Sequence, residues 1–161
     1  MNYILRKSNK FDYHTNLSAV LYPILDDIRK FNWLISDVEY ISWADFKLPI
    51  NMYDEYFILS ADNFIELVKA DVQMVWGVLL GIPLDSHIEV NVDELPYADG
   101  NGKVWKNGNL QHPKAEIEII CFDSSYTIVK FKDIIISDKF RSYFPEAFEL
   151  EKFKNKSAPN Y

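Results

Sequence analysis

The chain is poor in the residues that usually announce chemistry. It has a single cysteine, Cys121, which rules out an internal disulfide and a thiolate metal cluster. Its three histidines, His14, His87 and His112, are far apart and lack the HExxH spacing of a helical zinc site. With five glycines it has no GxGxxG, no phosphate-cradling P-loop and no GxSxG elbow. Basic residues are outnumbered by acidic ones, 17 against 24, so the basic footprint that phosphate backbones require is missing. The longest apolar run, Met74 to Ile82, is too short to span a bilayer. Residues 1–10 show no apolar core with a small-residue cleavage site, and a cytoplasmic location is the expectation. No cofactor, no metal, no nucleic acid and no membrane partner is expected, and no catalytic residue is assigned.

What is present is the material of a packed domain. Of 161 residues, 48% are hydrophobic, enough for a real core, and 16% are aromatic. Residues 115–136, AEIEIICFDSSYTIVKFKDIII, alternate as two strands around a turn at Asp123-Ser124-Ser125. Ile117, Ile119 and Cys121 share one face; Glu116, Glu118, Ile120 and Phe122 share the other, with its acidic start expected to be wet. Lys130 and Lys132 would lie across from Glu116 and Glu118, an opposition worth roughly 0.2–1 kcal/mol and useful for register. Asp and Ser at the reversal are turn formers rather than nucleophiles.

The rest of the chain alternates the two periods. Residues 2–6 read as a strand. Asn16 caps a helical stripe of Leu17, Val20, Leu21, Ile24, Leu25 and Ile28, interrupted at Pro23, with Asp26, Asp27, Arg29 and Lys30 expected in solvent. Residues 31–40 read as a strand, with Asp37 marking a bulge or turn. Residues 44–54 read as loop, 55–59 as a short strand, and Ser60 as the cap of a helix over 61–70. Val72 to Ile82, the most hydrophobic segment, reads as a central strand, with Gly77 admitting a close approach or bulge and a short buried helix as the competing reading. Residues 87–92 alternate as a further strand. Asp99–Gly102 and Asn107–Asn109 are turns, leaving Val104 and Trp105 on an exposed tip or mobile loop. Asp138 is positioned to cap a short helix ending before Pro145. These readings add to one α+β domain over residues 1–153, a mostly antiparallel sheet of about five to seven strands with two main helices packed on one face, and a polar tail over 154–161.

Several apparent sites dissolve on inspection. Asp99, Asn101 and Lys103 imitate the start of a calcium loop, but Lys103 is the wrong ligand and no Glu closes the motif. The carboxylate clusters, Asp37 with Glu39, Asp54 with Glu55, and Glu89 with Asp93 and Glu94, have no spacing that compels acid–base work; a solvated face is the simpler reading. What survives is a surface pattern of loop aromatics beside carboxylates. The residues it selects for partner binding are Trp43, Asp54, Glu55, Glu89, Asp93, Glu94, Tyr97 and Trp105.

Trp76-Gly77 ahead of Gly81-Ile82-Pro83, Gln111-His112-Pro113 leading into Glu116-Ile117-Glu118, and Phe122-Asp123-Ser124-Ser125-Tyr126 resemble segments of small bacterial α+β proteins of unknown function, including immunity-type partners of polymorphic toxins. The resemblance implies a cytoplasmic protein that neutralises a cognate toxin. The expectation is a non-enzymatic acidic protein-binding domain for a basic protein such as a toxin domain. The alternatives are a small-molecule-binding domain or enzyme with an aromatic-lined pocket, and a homo-oligomeric structural protein.

Overall fold

The computed structural model describes residues 1–157, with side chains through Phe153. Among these residues the strands form one antiparallel sheet: β1 (Asn2–Leu5), β2 (Phe31–Ser42), β3 (Tyr56–Leu59), β4 (Val72–Pro83), β5 (Ile117–Phe122), β6 (Tyr126–Phe131) and β7 (Phe148–Glu149). Their order across the sheet is β3-β2-β4-β5-β6-β1-β7. The α+β architecture expected from the sequence is the one observed, and Val72–Ile82 is indeed an interior strand.

Helices α1 (Leu17–Leu21), α2 (Ala61–Lys69) and α3 (Ile134–Tyr143) cover one face, one more than the two main helices expected. Asn16 and Ser60 cap the first two, accepting from the backbone N–H of Ala19 (2.9 Å) and Asn63 (3.2 Å). Pro23 stops α1 and falls in a single 3-10 turn, Tyr22–Ile24. Helix α3 starts earlier than Asp138. Asp133 caps it, accepting from Ile135 N–H at 2.7 Å, so Ile134–Ile136 form its first turn rather than the end of a strand. Burial of Ile136 and Phe140 against the sheet overrides the strand preference of that isoleucine run. At the centre of this core Trp33 stacks on Phe64, ring centroids 3.9 Å apart.

The opposite face has a second core. Ile4, Leu34, Val78, Leu80, Ile82, Ile120 and Ile128 are fully or almost fully buried there, beneath Ala98, Val104, Ala115 and Leu150. Most of its lid is irregular chain, the segment between β4 and β5, here called the cover (residues 84–116). The expected strand over 87–92 does not form. Both edges of β4 are occupied by β2 and β5, so the segment cannot pair beside the strand it follows. Its alternation is real but serves packing: Ile88 and Val90 turn toward the second core while His87, Glu89 and Asn91 face out. Val104 and Trp105 do not form an exposed tip. They sit in a 3-10 turn, Gly102–Trp105, with Val104 fully buried. Helix α4 (Leu150–Ser157) completes this side, so the backbone is helical into the residues read as a tail; residues 158–161 lie outside the described residues.

Candidate functional site

The cover is held by side chains rising from the sheet. At Asp37 the pairing of β2 with β4 slips between Ser36 and Glu39, and Asp37 takes a φ of 56°, the bulge expected there. The slip aims two polar groups at the cover. Ser36 donates its hydroxyl to the Pro96 carbonyl (2.6 Å), and the Asp37 carboxylate accepts from Ala98 N–H (2.8 Å). A third attachment was half visible in sequence. Glu118 and Lys130 are register partners in the central hairpin, as their opposition suggested. Their surroundings are not wet: both side chains have 0% exposure and meet at 2.9 Å. The second Glu118 oxygen accepts from Gln111 N–H (2.6 Å), and Lys130 Nζ donates to the Asn109 carbonyl (2.7 Å). The pair is thus satisfied by cover backbone, as a buried pair must be.

Fixed in this way, the stretch from Glu89 to Tyr97 presents its polar side outward. Glu89, Asp93 and Glu94 are exposed, and Tyr97 is 51% exposed. Asn91 organises the turn between them, accepting from Asp93 N–H (3.2 Å). Two open clefts flank this rim. One, about 400 Å³, has Leu34 at its base and Glu89, Glu94 and His112 on its walls. The other, about 500 Å³, lies between Asp93, Glu94 and Tyr97 on one side and Lys103 and Gln111 on the other. His112 is structural. Its Nδ1 accepts from Lys114 N–H (3.1 Å), leaving Nε2–H to donate to the Glu89 carbonyl (3.0 Å). Lys114 lies 3.6 Å from the Glu89 carboxylate, an exposed pair that partly offsets its charge. Among the described residues Asp93 and Glu94 have no cationic partner within salt-bridge distance.

The other selected residues are distributed differently. Trp105 is half-buried and packs on Phe122, Tyr126 and Phe153, with ring centroids 5.7, 5.8 and 6.1 Å away. It packs against the second core. Trp43 is exposed beyond the end of β2, with its ring 5.4 Å from Tyr13, whose hydroxyl bonds Asp71. Burial and the Asp71 carboxylate together push the Tyr13 phenol well above its ordinary range. Asp54 and Glu55 are exposed just ahead of β3, with Asp54 tied to Asn51 in a local turn. The sequence reading missed Ser36, Glu118 and Lys130 as attachments of the cover. The one available signal was the Glu118–Lys130 opposition.

Cys121 is wholly buried and desolvation pushes its thiol up to about 12. Among the described residues no three His, Cys, Asp or Glu side chains are grouped to hold a metal ion. Likewise, no helix among them is long and apolar enough to cross a membrane. No protein-family model, curated protein or solved structure matches the chain.

Proposed function

We propose that the chain is a non-enzymatic docking domain for a basic protein, with the Glu89–Tyr97 rim as its contact surface. An immunity-type inhibitor of a bacterial toxin is the form of this reading that the resemblance noted above suggests. The observation that carries it is the convergence of Glu89, Asp93, Glu94 and Tyr97 on one exposed ridge pinned to the sheet from below. A rim fixed before binding loses little freedom on association, and unpaired carboxylates raise the encounter rate with a cationic surface. Both clefts are open, and among the described residues lining them the only Phe, Tyr or Trp is Tyr97, which favours surface docking over enclosure of a small aromatic ligand.

The test is affinity capture from the native source with two baits, the wild-type chain and E89Q/D93N/E94Q. The wild type should retain a basic protein at stoichiometric levels. The triple variant should associate at least about tenfold more slowly, with a flatter dependence on salt. Equal retention by both baits, or a small molecule co-purifying without protein, would overturn the proposal.

A further inference from the structure

The two ends of the sheet are closed unequally. At one end β7 has two residues and runs directly into α4, which leaves little backbone to pair with. At the other end β3 has four residues, Tyr56–Leu59, paired with β2 on its inner side alone. Among the described residues no other element offers backbone hydrogen bonds to its outer side. The loop before β3 does not shield it: Leu48 and Ile50 tuck into the helix-side core, while Met52 and Tyr53 stay exposed, the latter at 94%.

The face of β3 that continues the second core is also open. Ile58 is the register partner of Leu34, which is buried under the cover, yet Ile58 is 51% exposed because the cover stops short of the edge. Tyr56, two residues earlier on the same face, is partly covered by that core. A further strand would meet Ile58 and Tyr56 with one set of alternate side chains and Phe57 with the other.

We infer that β3 is a strand-addition edge, and that its occupant is an extended basic segment of a partner protein with apolar residues at alternate positions. The charge around the edge selects that occupant. Asp54 and Glu55 precede β3 and Asp62 follows it, all three exposed. A second copy of this chain paired antiparallel through β3 would bring Asp54 and Glu55 of one copy toward Asp62 of the other, like against like, which disfavours self-pairing. A strand carrying Lys or Arg at its ends meets opposite charge at both. Main-chain bonds supply affinity in this mode, and alternate side chains supply selectivity. The inference shares the class of partner proposed above but uses none of the rim residues, so the two stand or fall separately.

The probe is a synthetic peptide alternating Val with Lys, beside the same peptide N-methylated at alternate backbone amides. Methylation keeps side chains and charge and removes the main-chain donors. The unmodified peptide should bind and raise amide-exchange protection within Tyr56–Leu59, and the methylated one should bind at least about tenfold more weakly. Ile58→Lys, at an exposed position where folding is checked by melting, should abolish binding. D54N/E55Q should weaken it and flatten its salt dependence, whereas E89Q/D93N/E94Q, which changes no residue of the edge or its flanks, should weaken it less than D54N/E55Q does. No binding, equal binding of both peptides, or protection elsewhere would overturn the inference. So would a wild-type dimer in sedimentation that Ile58→Lys dissociates, since the occupant would then be a second copy.

Discussion

Replacing Lys130 with methionine tests how the cover is held. The substitution keeps the length of the side chain and removes its charge. It leaves the Glu118 carboxylate, at 0% exposure, with one remaining hydrogen bond among those described above, from Gln111 N–H. Removing one partner of a buried ion pair costs about 3–5 kcal/mol, because the other charge stays in a medium that cannot solvate it. For a domain of this size each kcal/mol lowers the melting temperature by about 2–4 °C, so a loss of about 6–20 °C is expected. Glu118→Gln should cost a similar amount by removing the lysine's counter-charge in a buried site. The double replacement E118L/K130M removes both charges but also the side-chain partners of Gln111 N–H and Asn109 C=O, each worth about 1–3 kcal/mol if left unsatisfied. It should therefore still destabilise, yet by at least about 2 kcal/mol less than the sum of the single changes. Urea unfolding at constant m measures all three, and amide exchange at Gln111 reports whether the cover lifts. A cost below about 1 kcal/mol for either single change, or strict additivity, would refute the picture of a buried pair completed by cover backbone.

Three further outcomes are expected. Asp27 is 3% exposed and bonds Lys139 (2.7 Å) and Lys30 (2.8 Å); burial opposes its charge, but the two lysines prevail and hold its carboxyl below the ordinary value. A depressed folded-state pKa stabilises above the unfolded value and is lost as pH falls through the folded one. Asp27→Asn should therefore cost about 1–3 kcal/mol near neutrality, and the gap to wild type should close in acid melts below about pH 4. Gly81→Ala would place a methyl 3.2 Å from Trp33 and 3.3 Å from Ile117 and Phe31, all ring or backbone-proximal atoms in a packed core, and chemical denaturation should show a loss of about 1–3 kcal/mol. At the β5–β6 turn Asp123 and Ser124 both have positive φ, 49° and 48°; D123N/S124G suits that geometry and should raise stability by about 1 kcal/mol in the same assay.

The elements that were legible are those whose cause is local. Asn16 and Ser60 cap the helices they were expected to cap, and the alternation around Asp123 gives the hairpin with Glu118 opposite Lys130. The errors share a different cause, which is that burial is decided by distant chain. Nothing near Asp27 in sequence reveals Lys139, so it read as a solvent residue. Nothing near Glu118 reveals that residues 103–111 fold over it. The alternation at 87–92 is that of a strand, but whether it pairs depends on the neighbouring strands, and β4, from which it runs on, is already flanked by β2 and β5. Of the candidate contact residues, Glu89, Asp93, Glu94 and Tyr97 come together because they are close in sequence on one ridge. Trp105, only eight residues beyond Tyr97, turns inward because Val104 beside it is drawn into the second core.

On the function proposed above, the same attachments are what would let an irregular segment serve as a recognition surface. A cover without regular structure of its own has many unpaired backbone groups and would ordinarily be mobile. Here the Pro96 and Asn109 carbonyls and the Ala98 and Gln111 amides are each taken by a side chain from β2, β5 or β6. Asp93 and Glu94 lie between Pro96 and the Glu89 carbonyl, which His112 Nε2–H holds. Their charge alone would steer a cation only loosely, since exposed carboxylates are screened. Their fixed placement beside Tyr97 is what would let them discriminate one basic surface from another. It follows that Lys130→Met, although outside the rim, should weaken partner binding chiefly by slowing productive docking, and that E118L/K130M, which leaves the Gln111 N–H and Asn109 C=O without those side-chain partners, should not restore it.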